Sequence, residues 1–119
     1  MSLKIYQYNK CSTCRKATRF LDENKIPYTT IPIRDQPPTK TELRKLLASY
    51  DGDVRKLFNT SGMDYRQLGI KDKLPDLSRD DVIDLLATNG NLIKRPVALS
   101  RSHAVAGFKE ALWRESFLR

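Results

Sequence analysis

Residues 3–25 read LKIYQYNKCSTCRKATRFLDENK, and the spacing of their apolar side chains changes from strand-like to helical. The polarity of the side chains alternates along residues 3–8, and many of these residues favour β-structure, so the segment predicts a strand. Residues 9–12 turn the chain, and from Thr13 the apolar spacing becomes helical. One face of this helix carries Cys14, Ala17, Phe20 and Leu21. Asn24 and Lys25 end the helix ahead of Pro27, so the segment predicts a strand, a tight turn and a helix.

A second strand is predicted at residues 28–33, YTTIPI. Pro32 cannot donate a backbone hydrogen bond, so this strand should lie at an edge or carry a bulge. The three elements make a βαβ unit of about 30 residues, which predicts parallel strands and a right-handed crossover.

A helical insertion is predicted at about residues 39–90. Two capping boxes indicate helix starts within it, Thr39 with Glu42 and Ser78 with Asp81. Beyond a turn at residues 59–62, Tyr65 and Leu68 are predicted to anchor the core. Asn89-Gly90 is a typical helix stop.

Two more strands and a last helix are predicted in residues 92–119. A third strand follows residues 92–96, and a fourth lies at residues 103–106 after a short turn. Phe108 and Leu112 fall on one side of the final helix. The chain is therefore predicted to be an α/β protein with one domain over residues 1–119.

The composition of the chain limits the classes of protein to which it can belong. The chain is 39% hydrophobic and 30% charged, as expected of a globular domain and not of a disordered chain. It has no apolar run long enough for a membrane span and no secretory signal, so we expect a cytoplasmic protein without membrane contact. The net charge of +8 favours anionic partners. Because the basic residues are scattered, we expect no direct nucleic-acid binding.

The only two cysteines, Cys11 and Cys14, lie at the predicted strand-to-helix turn. A helix start offers unpaired N–H groups and a partial positive charge, and both stabilise a thiolate. Three neighbouring cations act in the same direction: Lys10, Arg15 and Lys16. Cys11 is thus predicted to be the nucleophile, and Cys14, nearer the core, the resolving thiol. The alternatives are a structural role for the two cysteines or a metal site. A metal site would need further ligands, and His103 is the only histidine in the chain.

A second motif, Arg95-Pro96, precedes the third strand. Taken alone, Pro96 is a strand-entry residue and Arg95 a surface cation. Only about 5–6% of such X–Pro bonds are cis in folded proteins.

With these motifs, CSTCRKA at residues 11–17 and LIKRP at residues 92–96, the chain resembles the arsenate reductase (ArsC) and Spx family over nearly its whole length. Residues 59–68 resemble the uncharacterised YusI-like branch most. The resemblance implies a thioredoxin-like fold: β-α-β, a helical insertion and β-β-α, with a mixed four-stranded sheet.

The resemblance also implies roles for single residues. The cysteine matching Cys11 forms an adduct with arsenate in the true reductases, and the matching pair forms a regulatory disulfide in Spx proteins. The proline matching Pro96 is typically cis and faces the cysteine. Arg95 is expected to hold an oxyanion through its guanidinium fork. We expect the anion-binding site to include Arg95 together with Ser12, Thr13, Arg15 and Pro96.

Two departures from the family pattern affect the predicted chemistry. Of the three arginines in true reductases, only Arg95 is present: Asn59 takes one position, and Lys109 is the nearest cation to the other. Cys14 is present where those reductases tend to lack a second motif cysteine. We therefore expect weak arsenate binding and an internal disulfide as the oxidised state.

Three hypotheses follow. The first is an enzyme, a thiol-dependent reductase of a small oxyanion or a disulfide, with no bound cofactor or metal. It would be a monomer, re-reduced by glutathione and glutaredoxin or by thioredoxin. The second is an Spx-like redox-sensing regulator that binds RNA polymerase. The third is a degenerate family member with a structural or chaperone-like role.

Overall fold

The computed structural model describes residues 3–118 and is built on a four-stranded mixed sheet in the order β2-β1-β3-β4. The strands are β1 (Lys4–Gln7), β2 (Thr29–Pro32), β3 (Val97–Leu99) and β4 (Ala104–Ala106). β1 pairs in parallel with β2 and antiparallel with β3, and β3 pairs antiparallel with β4. β2 is an edge strand, as Pro32 predicts. The predicted mixed sheet of the thioredoxin-like fold is confirmed.

Residues 3–118 form six α-helices. They are α1 (Ser12–Glu23), α2 (Lys40–Ser49), α3 (Met63–Gln67), α4 (Ile70–Lys73), α5 (Arg79–Thr88) and α6 (Glu110–Phe117). Three short 3₁₀ turns lie at Val54–Leu57, Leu74–Asp76 and Gly90–Leu92. No helix among residues 3–118 combines the length and apolar character that a membrane crossing requires.

Side chains along each strand point alternately to the two faces of the sheet, so the core consists of two layers. In β1, Ile5 packs with side chains from α1 and α6, whereas its neighbour Tyr6 packs with side chains from α2 and α5. β3 repeats the pattern, because Ala98 belongs to the first layer and Val97 to the second. Successive side chains of a strand point to opposite faces, so both faces of this sheet are covered.

The two capping boxes predicted from the sequence are present at the starts of α2 and α5. Glu42 of α2 also accepts hydrogen bonds from Lys4 Nζ and the Tyr6 hydroxyl, both at 2.7 Å. This carboxylate therefore joins the insertion to the central strand.

One expectation about packing is wrong. Leu68 is 41% exposed instead of anchoring the core, because the chain ends α3 there and buries Ile70 of α4. In α6, by contrast, Trp113 is the buried side chain, as expected of a packing residue of the last helix, and Leu112 is 37% exposed. Trp113 packs edge-on against Phe108, and its indole N–H donates to the carbonyl of Gly107 at 3.0 Å.

Candidate active site

Cys11 lies between the end of β1 and the start of α1, where it is the N-cap residue of the helix. Its Sγ accepts a hydrogen bond from the Cys14 backbone N–H at 3.4 Å. Its own N–H donates to the carbonyl of Tyr8 at 3.0 Å, which closes the turn. The thiol is thus held at the positive end of a twelve-residue helix, in the position that a serine or aspartate side chain usually takes.

Cys14 lies one turn into α1 and is completely buried, whereas Cys11 is half-buried. Both are free thiols in this structure. The helical spacing that places Cys14 on the apolar face of α1 also places it next to Cys11, the more exposed thiol of the pair. This arrangement gives one accessible thiol and one protected thiol next to it.

Arg95 approaches Cys11 from the segment before β3. The Arg95–Pro96 peptide bond is cis, and Pro96 is buried. The Pro96 carbonyl accepts the Gly107 N–H at 2.8 Å, which ties this segment to the end of β4. Arg95 lines the same cavity as Cys11, and its guanidinium lies over the Tyr8 ring, with Cζ 5.1 Å from the ring centroid.

The two thiols differ in acidity. Partial burial acts to raise the pKa of Cys11, but hydrogen bonds from Cys14 and the charge and hydrogen bond of Arg95 outweigh it. The pKa of Cys11 is therefore lowered. Burial raises the pKa of Cys14 to about 12, against a weaker lowering by a backbone hydrogen bond from Tyr8. Its hydrogen bond to Cys11 and the Cys11 charge raise it further. One thiolate at Cys11 and one thiol at Cys14 is the favoured state of the pair.

A cavity of about 390 Å³ opens beside Cys11. Four cationic residues line it: Lys56, Lys94, Arg95 and Lys109. None of them has a salt-bridge partner within residues 3–118, and no acidic residue of that range lines the cavity. The walls also carry the hydrogen-bonding side chains of Thr13, Asn59 and Ser61. The cavity is suited to a molecule with several negative charges.

The structure brings together only part of the predicted anion site. Cys11, Thr13 and Arg95 line the cavity, whereas Ser12, Arg15 and Pro96 are not among its lining residues. The exposed Arg15 side chain turns away and donates to the Asn9 carbonyl at 3.1 Å. The anion-binding roles of these residues remain predictions.

Two lysines in the cavity were missed by sequence reasoning. Lys94 adjoins the Arg95-Pro96 motif, and that adjacency is a signal that could have identified it. Lys56 has no such signal, because only tertiary folding brings the Val54–Leu57 turn to the cavity. Within residues 3–118 no group of three or more His, Cys, Asp or Glu side chains could hold a metal ion.

The comparisons with known proteins agree with this geometry. A model of the ArsC family matches residues 6–116. Uncharacterized protein YusI of Bacillus subtilis is 45% identical over 117 residues, which cover 98% of this chain and 99% of YusI. Global transcriptional regulator Spx 1 of Lactococcus lactis is 27% identical over 108 residues, 91% of this chain and 83% of that protein. The crystal structure of a possible arsenate reductase from Streptococcus mutans has a TM-score of 0.88 and 42% identity, covering 97% of this chain and 98% of that chain. The resemblance drawn from the motifs is confirmed.

Proposed function

The chain belongs to the ArsC family, and we propose that it is a thiol-dependent oxidoreductase with Cys11 as nucleophile and Cys14 as resolving thiol. The observation that carries this proposal is the asymmetry of the pair. Cys11 caps a helix and lines a cavity together with Arg95, whereas Cys14 is completely buried. An attacking thiolate and a protected second thiol are what a two-step thiol–disulfide exchange requires.

The reaction proceeds by two displacements. The Cys11 thiolate attacks one sulfur of a substrate disulfide, forms a mixed disulfide and releases the other half as a thiolate. This step removes the negative charge from Cys11, and with it one cause of the high pKa of Cys14. Cys14 then gives its proton to this released thiolate and attacks Cys11 Sγ, which breaks the mixed disulfide and releases the second half as a thiolate. The products are one substrate thiol, one substrate thiolate, which takes a proton from water, and a Cys11–Cys14 disulfide.

A disulfide suits the cavity better than arsenate does. Its volume of about 390 Å³ falls in the range of ordinary small-molecule sites and exceeds the needs of one tetrahedral anion. Three of its four cations are lysines. A lysine acts as a point charge and lacks the planar fork that binds an oxyanion through two parallel hydrogen bonds. We therefore propose an anionic disulfide as the preferred substrate and arsenate as a weak one.

Turnover requires a reductant that reopens the Cys11–Cys14 disulfide. Family resemblance proposes glutathione with glutaredoxin, or thioredoxin, and the reduced cytoplasm supplies both. We propose that the protein works there as a monomer.

The test is an activity assay on reduced wild-type protein and on the Cys11→Ser and Cys14→Ser variants. Arsenate is assayed with glutathione and glutaredoxin and, separately, with thioredoxin. Glutathione disulfide is assayed with thioredoxin alone, because glutathione as reductant would regenerate that substrate. We expect turnover of the disulfide, none in Cys11→Ser, and a trapped one-to-one mixed disulfide in Cys14→Ser. Equal turnover by Cys11→Ser and wild type would rule out the mechanism.

A second candidate is an Spx-like regulator, favoured by the 27% identity with Spx 1 and by the Cys11–Cys14 pair. RNA polymerase would be its partner, and its disulfide would change the affinity. Purified polymerase should then be retained by one redox state of the immobilised protein more than by the other. No retention in either state would remove this candidate.

A further inference from the structure

Two arginines share the ring of Tyr8. The Arg34 guanidinium carbon lies 4.7 Å from the ring centroid and that of Arg95 lies 5.1 Å from it. A guanidinium over an aromatic face is held by about 0.5–1 kcal/mol when exposed and about 2 kcal/mol when desolvated. Tyr8 is half-buried and packs against the core layer beneath it.

Arg95 has no ion pair to fix its side chain. Within residues 3–118 its guanidinium forms no salt bridge. A long cationic side chain without such partners samples many rotamers, and ordering it costs up to about 2 kcal/mol. The face of the Tyr8 ring therefore supplies a contact that restricts the Arg95 side chain.

Tyr8 also belongs to the turn that places the thiol. It follows β1 directly, and its carbonyl accepts the Cys11 N–H at 3.0 Å. The ring and the sulfur are thus held by one rigid turn, and a guanidinium stacked on the ring stays near the sulfur.

We propose, on the basis of the function above, that Tyr8 is a positioning residue which holds the Arg95 guanidinium at Cys11 Sγ by stacking. Tyr8 does not touch the substrate or exchange a proton. It raises the fraction of time that Arg95 is in place. Arg34 covers the same ring and lines a separate polar cavity with Gln7 and Asn9, on the side of β2.

The test measures how the ionisation of the Cys11 thiol depends on pH. Several charged or titratable groups influence this ionisation. Cys14 faces Cys11 from its own helix and Arg95 from the segment before β3. The other titratable or charged groups around the cavity are Lys56, Lys94, Lys109 and Tyr50. All of these stay unchanged when only Tyr8 is replaced.

The experiment measures the rate of Cys11 alkylation by iodoacetamide against pH in wild type, Tyr8→Leu and Tyr8→Phe. Leucine keeps apolar volume but removes the aromatic face, and phenylalanine keeps the face. We expect Tyr8→Leu to raise the midpoint by about half a pH unit, a threefold loss of thiolate below the midpoint. Tyr8→Phe should match wild type, and so should Arg34→Gln, which removes the other cation from the ring.

A double variant separates positioning from a general disturbance of the turn. In an Arg95→Gln background, Tyr8→Leu should have no further effect on the midpoint, because no guanidinium remains to be positioned. A shift of equal size in that background would overturn the proposal, as would a wild-type profile in Tyr8→Leu. Urea unfolding of each variant verifies the fold. A wild-type midpoint at that of a free thiol would instead defeat the proposed function itself.

Discussion

Replacing Arg95 with glutamine should raise the pKa of Cys11 by about one unit. Arg95 and Cys11 are both half-buried, and the positive charge of the guanidinium is one cause of the lowered pKa of Cys11. Two opposite unit charges about 4 Å apart interact by about 1 kcal/mol in water and about 4 kcal/mol at an effective dielectric of 20. A half-buried pair lies near the lower end, and about 1.4 kcal/mol corresponds to one pKa unit.

The assay is a titration of the thiolate by its ultraviolet absorbance, made in a Cys14→Ser background so that only Cys11 contributes. Arg15→Gln is the matched control. It removes an exposed cation from α1 whose side chain bonds to the Asn9 carbonyl, and surface charges of this kind have effects of at most a few tenths of a unit. An unchanged pKa in Arg95→Gln, or an equal rise in Arg15→Gln, would refute the reasoning.

Three further outcomes are expected. Glu42→Gln should lower the free energy of unfolding at neutral pH by about 1–3 kcal/mol, since it weakens the bonds to Lys4 and Tyr6. Burial acts to raise the pKa of Glu42, but those bonds lower it, so the wild-type advantage should vanish in urea titrations as pH falls through that pKa. Burial raises the pKa of Cys14 to about 12. Wild type should thus lose about 1.4 kcal/mol per pH unit between about pH 8.5 and pH 10, and Cys14→Ala should lack this slope in the same urea titrations. Gly90→Ala should cost about 3 kcal/mol by thermal melting, because its Cβ would lie 1.8 Å from the Ile33 carbonyl oxygen.

The sequence predicts those elements whose signals are local. The strand, the turn and α1 follow from the change of period around Cys11, and the starts of α2 and α5 follow from side chains three residues apart. Cys14 is buried as its helical spacing predicts. Such features depend on neighbours within one or two turns of chain, which a single sequence contains.

Features that depend on tertiary contacts could not be predicted. Nothing local distinguishes Ile70, which is buried, from Leu68, which is exposed. Lys56 reaches the cavity only through packing of its 3₁₀ turn. The contact of Tyr8 with Arg95 joins residues 87 positions apart in the sequence, and no periodicity encodes it.

The proposed function depends on a stable thiolate at Cys11. The most direct measurement is the alkylation rate of each cysteine of the reduced wild-type protein against pH, resolved by peptide mapping. We expect a midpoint for Cys11 below the value of about 8.5 for a free thiol, and negligible reaction at Cys14. A Cys11 midpoint at or above that value, or faster alkylation of Cys14, would contradict the proposed function.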